Sequence, residues 1–280
     1  MDQGEDGGSE LGSRCCWWAA QHPARRVRQR SESEDLLDWV DQADQFWAGE
    51  LGVAPRVLRT DGLHVFEHPD TDAQLRATVV GTSSATIVRL PEGRTHAFEN
   101  AGLKLEEMER SPRRYVASCA SIRTLEVRGP AYLAYWPPSS PLPSLQRQTE
   151  QLTGDSLASL TSLCDIAPTE WEEAGIGPES RVFGLRVEDR IVAVAGYERW
   201  SGQIAQLQVF CHPGYRRRGL AAEPLTAAVS QALADNLLPQ YRARDGNAAS
   251  LALAKRVGFV EYGWMATVLV RLPNNADRER

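Results

Sequence analysis

Leu207 to Ala222 reads LQVFCHPGYRRRGLAA, and the interpretation of this stretch decides the fold. Gln206 to Phe210 mixes β-branched and aromatic residues with polar ones, and His212-Pro213-Gly214 stops the strand. From Gly219, the residues Leu220, Leu225, Val229 and Leu233 recur at helical spacing. The stretch is therefore predicted as strand, basic loop and helix. The first turn of a helix presents unpaired backbone N–H groups at the positive end of its dipole, and a glycine there lets an anion approach the main chain. Arg216, Arg217 and Arg218 bring positive charge to the same place. The combination predicts a cradle for a diphosphate, with a solvated basic turn as the plain alternative. It is not a Walker loop, because the spacing G-x-x-x-x-G-K-[ST] is absent.

Working outward, Ser180 to Glu188, a turn at Asp189, Arg190 to Trp200 and Gln203 to Cys211 read as three successive antiparallel strands that feed the loop. Downstream the helix runs to Asn236 and Pro239 stops it. Gln240 to Arg244 is a short strand and Asp245-Gly246 a turn. Asn247 to Val257 is a helix capped by Asn247, with Gly258 at its left-handed stop. Phe259 to Tyr262 and Trp264 to Leu272 close the chain as strands. Upstream, Leu145 to Leu163 holds helical spacing interrupted at Gly154-Asp155, and Pro168 to Ala174 reads as a short helix with proline in its first turn.

Arg216 to Ala221 matches [QR]-x-x-G-x-[GA], and Asn247-x-x-Ser250 with Gly258-Phe259 forms a second segment at the expected separation. With the order β-β-β-loop-α-β-α-β-β, residues 164–272 resemble the GNAT N-acetyltransferase superfamily, and the resemblance is confined to the C-terminal half. It implies a mixed α/β (α+β) fold in which a GNAT-like acyltransferase domain follows a smaller α+β accessory lobe, possible to read as a degenerate GNAT-like one. It also implies acetyl-CoA as the acyl-donor cosubstrate, no metal, and direct transfer of the acyl group to a primary amine on a small molecule or peptide. Carried over residue by residue, Arg216, Arg217, Arg218, Gly219, Leu220 and Ala221 would hold the diphosphate. Asn247 and Ser250 would meet the pantetheine arm, and the strand of Leu207, Val209 and Cys211 would offer N–H groups to the thioester carbonyl.

Transfer to an amine needs a neutral nucleophile. A lysine-like ammonium, with a reference pKa near ~10.4, gives up its proton at pH 7 at a cost of about 4–5 kcal/mol, met by desolvation or a base. The tetrahedral intermediate needs hydrogen-bond donors and the departing thiolate a proton. Many GNAT enzymes resemble one another in using a Tyr five residues before the Phe of the Gly-Phe pair as that acid, and here the position is Ala254. Ser250, Tyr262 or water are the substitutes. Glu198 is the candidate base, against a plain reading as exposed hairpin charge. Cys211 reads as a packed thiol rather than an acyl-enzyme nucleophile. The alternative function is a non-catalytic acyl-CoA-binding regulatory or interaction protein, for which Ala254 and the lack of a carboxylate on the strand Gln203 to Cys211 argue.

The remaining chain frames this domain. Residues 1–34 swing from acidic Gly/Ser to an arginine cluster and back, and are expected to be a disordered tail, as are residues 273–280. Cys15-Cys16-Trp17-Trp18 is too short for a signal-peptide core and reads as upstream readthrough or a tail anchor. Residues 35–136 are expected to be the accessory domain: a helix over Leu36 to Leu51 with an aromatic core stripe, strands at Gly62 to Glu67, Gln74 to Val80, Ala85 to Leu90, Arg114 to Ser118, Ser121 to Arg128 and Ala131 to Trp136, and a short helix over Ala101 to Glu109. The Pro-rich segment 137–144 is the expected linker, and residues 145–272 the acyltransferase domain. A chain starting near Leu145 should then hold together by itself. Its first strand is not evident, however, and Ala131 to Trp136 is the segment that would lend it.

A net charge of −6 over 280 residues argues against a nucleic-acid partner. Lysine occurs only at 104 and 255 among the 31 basic residues, a bias ascribed to base content of the gene rather than function. Five cysteines without C-x-x-C spacing suit a reducing cytoplasm, and no apolar run reaches the roughly 18 residues of a membrane span.

Overall fold

The computed structural model describes residues 39–69, 75–153, 174–177, 180–188 and 190–271. The two tails, the helix expected over Pro168 to Ala174 apart from its last residue, and the turn at Asp189 lie outside them. The described residues divide into two compact units, one formed by Ser144–Leu237 and the other by the chain up to Pro143 together with the chain from Leu238 onward. Among the described residues no helix is long and apolar enough to cross a membrane.

The Ser144–Leu237 unit is a meander. Strand β5 (Thr149–Leu152), β6 (Arg181–Val187), β7 (Arg190–Trp200) and β8 (Ile204–Cys211) pair antiparallel, each with the next. Helix α5 (Ala222–Ala234) follows β8 and buries Leu225, Ala228, Val229 and Ala232. Residues 149–152, expected to be helical, are strand β5. Leu152 is buried there over Gly184, where an added Cβ would come within 2.9 Å of its side chain, so the pairing with β6 outweighs a weak helical spacing. One face of the meander packs Leu185 and Ala193 against Leu220, with Cys211, Tyr215 and Ala221 beside them. The other packs Val182, Val194 and Phe210 against Ile176.

The second unit is built from distant pieces. Helix α1 (Trp39–Leu51) buries Ala43, Phe46, Trp47 and Leu51, the aromatic stripe read from the sequence. Strands β1 (Gly62–His68), β2 (Arg76–Gly81) and β3 (Ala85–Pro91) follow, with β1 parallel to β3 and β2 antiparallel to it. Helices α2 (Thr95–Asn100) and α3 (Leu105–Met108) replace the single helix expected over Ala101 to Glu109, because Gly102, at φ +102°, turns the chain between them. The strand expected at Arg114 to Ser118 is instead helix α4 (Pro112–Ser118): Pro112 occupies the first turn, and Val116 packs into the core with Phe98 and Met108. The two strands expected over 121–136 are one, β4 (Leu125–Tyr135), running through Gly129-Pro130 opposite a register shift between Met265 and Thr267.

After residue 237 the chain adds β9 (Leu238–Arg244), helix α6 (Ala248–Val257) and β10 (Val260–Val270) to this unit. Pro239 lies inside β9 and accepts from Trp136 N–H at 3.0 Å, rather than marking a stop. The last two expected strands are also one, with a register shift between Glu261 and Gly263, and a Cβ at Gly263 would lie 1.9 Å from the Gly81 carbonyl oxygen. The strand order is β1-β3-β2-β10-β4-β9, so β4 lies between β9 and β10.

Candidate functional site

Strand β8 leads into the loop. His212 N–H donates to Val192 at 2.9 Å, and N–H directions alternate along a strand. Phe210 and Gln208 therefore donate toward β7, whereas Leu207, Val209 and Cys211 turn their N–H groups to the opposite edge. Past His212, a single turn over Pro213–Tyr215 is held by the His212 ring, which accepts from Gly214 N–H at 3.1 Å. Arg216 Nε donates back to the Cys211 carbonyl at 2.9 Å and pins the loop to the end of β8. Arg218 lies over the Tyr215 ring, 5.3 Å from its centre.

The backbone then takes two left-handed steps, Arg217 at φ +64° and Gly219 at φ +74°. Ala222, Glu223 and Leu225 donate into the new helix through Gly219, Leu220 and Ala221. Among the described residues, the N–H groups of Arg217 to Ala221 meet no acceptor. Successive free N–H groups with alternating backbone hand form a concavity for an anion, and the α5 dipole adds to it. All three arginines are exposed, and Gly219 and Ala221 are partly open.

Burial pushes the Cys211 thiol above its ordinary value, and the nearby Arg216 charge only partly offsets this. At neutral pH the sulfur keeps its proton, which makes it a poor nucleophile.

Glu198 lies in the same unit on the opposite face of the meander. It pairs across from Gln206 on β8, is partly buried, and sits 3.3 Å from the Ser180 hydroxyl. Sequence reading missed Ser180, and also Asp235 at the end of α5. Asp235 accepts from Tyr197 O–H at 2.8 Å, Arg199 Nη2 at 2.6 Å and Gln231 Nε2 at 3.0 Å, with Arg181 Nη1 at 3.3 Å. Burial alone would raise its carboxyl. The hydrogen bonds from Tyr197 and Gln231 and the arginine charges outweigh that and hold it below the usual value. Nothing in the spacing of these residues marks them, since they come from β6, β7 and α5.

The other predicted residues belong to the second unit. Asn247 Oδ1 accepts from Ser250 N–H at 3.1 Å and caps α6, and Gly258 stands at φ +116° beyond its last turn. The Ser250 side chain bonds to Tyr241, whose hydroxyl burial pushes up to about 12. Tyr262 is drawn into the interior: its O–H donates to Asp44 at 2.7 Å, and Asp44 is itself paired with Arg59 at 2.5 Å. Burial and the Asp44 carboxylate both raise the Tyr262 phenol far above its ordinary value, so its proton is committed to that bond. Ala254 is fully buried and accepts from Gly258 N–H.

A family model described as GNAT acetyltransferase matches residues 170–264, and supports acyltransferase activity for the C-terminal part of the chain. Among solved structures, the chain is similar to a GNAT-family protein from Novosphingobium aromaticivorans DSM 12444, with 23% identity over 54% of this chain and 69% of that one and a TM-score of 0.42. It is similar to an acetyltransferase from the GNAT family of Colwellia psychrerythraea, with 14% identity, 66% and 76% coverage and a TM-score of 0.46. A GCN5-related N-acetyltransferase-like protein from Streptococcus suis 89/1591 is covered completely by 82% of this chain, at 12% identity and a TM-score of 0.45. No curated protein matches the chain.

Proposed function

We propose that the protein is an N-acyltransferase that moves an acyl group, acetyl being the best fit, from acyl-CoA directly to a primary amine. The observation that carries this reading is the run of acceptor-free N–H groups from Arg217 to Ala221 at the start of α5, surrounded by exposed arginines. That arrangement suits the diphosphate of coenzyme A. From Gln206, opposite Glu198, to Cys211 the strand covers about 17 Å at about 3.4 Å per residue. The extended pantetheine arm would run this length, along the strand whose Leu207, Val209 and Cys211 N–H groups are directed away from β7. Glu198 would receive the amine proton, and the protonated Cys211 favours direct transfer over an acyl-enzyme.

Tyr262 is a poor candidate for the acid because its proton is held by Asp44. Water is the better source of the proton for the thiolate. The same two features, Ala254 and the engaged Tyr262, favour a second reading as a non-catalytic acyl-CoA-binding protein.

Gly219→Glu puts a carboxylate where the anion would sit, on a backbone position at φ +74° that resists any side chain. Acetyl-CoA affinity should fall by at least about 2–3 kcal/mol, read by calorimetry on folded variant protein. Equal binding by both proteins would remove the basis of the proposal. A thiol-release screen of acetyl-CoA against an amine panel, with mass confirmation of product, separates the enzyme from the binder.

A further inference from the structure

The second unit holds a cleft of about 580 Å³ between the β2–β3 turn and the start of α4. Its floor is set by three residues in register across the sheet, Trp264 on β10, Gly81 on β2 and Thr86 on β3. A Cβ at Gly81 would come within 2.0 Å of Trp264 Nε1, so the indole rests on bare glycine backbone with its nitrogen above β2. Trp264 is 7% exposed and Thr86 6%, and both line the cleft. Among the described residues neither the indole N–H nor the Thr86 hydroxyl has a hydrogen-bond partner, and neither atom is closed off from solvent. Polar groups on residues this deeply buried are ordinarily satisfied within the protein, and here two unsatisfied ones share one opening.

The rim carries charges of both signs. Arg113 lines the cleft from α4 but is already engaged: its Nε donates to Asp245 at 2.8 Å and its Nη1 to Glu261 at 3.5 Å. Thr82 is committed as well, donating to the Leu58 carbonyl at 2.8 Å and accepting from Ala85 N–H at 3.0 Å within the turn. Arg114 and Glu109 also line the cleft, and among the described residues neither forms an ion pair or hydrogen bond, with the other or with any third group. Both are exposed, and two such charges by themselves would simply be solvated. Above a floor of two unanswered polar groups they frame a space for a ligand that itself carries both signs. Leu63, Ala85 and Pro112 make part of the remaining lining apolar.

We propose that this cleft is a binding site for a free amino acid with an apolar side chain. At neutral pH such a molecule is a zwitterion. Its carboxylate accepts from Arg114, whose planar fork suits two carboxylate oxygens, and from the Trp264 N–H and the Thr86 hydroxyl. Its ammonium donates to Glu109, and its side chain lies against Leu63 and Pro112. A plain carboxylate of the same size would meet Glu109 as a like charge, and a plain amine would leave the Trp264 N–H unanswered. All of these residues belong to the second unit, and amino-acid binding there requires neither the anion loop nor acyl transfer.

The test is NMR of the indole N–H groups in the full chain carrying isotope-labelled tryptophan, with the Trp264 resonance assigned by its loss in Trp264→Phe. Leucine, valine and methionine are titrated to millimolar concentration, and at least one should move that resonance in a saturable way, with leucine the reference ligand. Isocaproate, which is leucine without its amine, and isopentylamine, which is leucine without its carboxylate, should each bind at least about tenfold more weakly. Arg114→Gln and Glu109→Gln on the surface, and Thr86→Val at the floor, should each raise the Kd of the bound amino acid by about threefold to tenfold. The two surface variants carry the decision if Thr86→Val does not fold. A resonance unmoved by all three amino acids overturns the site. Equal binding of leucine and isocaproate, the mark of a simple anion site, overturns it too, as does an unchanged Kd in Arg114→Gln.

Discussion

The two units achieve order in opposite ways. In Ser144–Leu237, β6, β7, β8 and α5 follow one another along the chain and each strand pairs with the next, so the anion loop rests on local structure. In the other unit β4, from residues 125–135, lies between β9 and β10, which arrive more than a hundred residues later. The difference teaches that the two units have separate vulnerabilities: a change in the Arg216–Ala221 loop should alter the ligand affinity proposed for it, and a change in the long-range sheet should alter folding.

Removing β4 gives the largest expected effect. A chain beginning at Leu145 leaves β9 and β10 without the strand between them, and the product should be insoluble or lack native circular dichroism. A soluble, folded 145–280 fragment would show that the two late strands do not depend on the early one. Within the same unit, Gly263→Ala forces a methyl group against the Gly81 carbonyl, a backbone atom that cannot swing aside. Stability should drop by about 3 kcal/mol, measured by urea unfolding, with wild-type CoA affinity in whatever remains folded.

Asp235→Asn sharpens the contrast from the other side, since its partners all come from the local unit. The expected loss at pH 7 is about 1–2 kcal/mol, modest because the arginines stay half exposed. Its carboxyl sits below the ordinary value in the folded protein. The stability it contributes is therefore fully present above the unfolded carboxylate pKa near ~3.9 and drains as pH falls through the lower folded value. Unfolding curves of wild type and variant should converge on acidification, and a constant gap down to pH 2 would contradict the assignment. Smallest of all, Asn247→Ala removes one helix cap, and thermal unfolding should report about 1 kcal/mol.

What could be read from the residues alone was local. The strand, basic loop and helix of 206–234, the Asn247 cap and the Gly258 stop are set by neighbours three or four positions apart and by backbone preferences of single residues, so spacing carries them. Pro112 at the first turn of α4 is a local signal of the same kind. Tertiary structure alone decided which strands pair, because a period of two suits any partner and says nothing about which distant segment supplies it. It placed β4 between β9 and β10, committed the Tyr262 proton to Asp44, and let Gln208 cross Gly196 to meet Ser180. Each of these contacts joins residues far apart along the chain, where burial and hydrogen bonding settle the choice and no sequence interval records it.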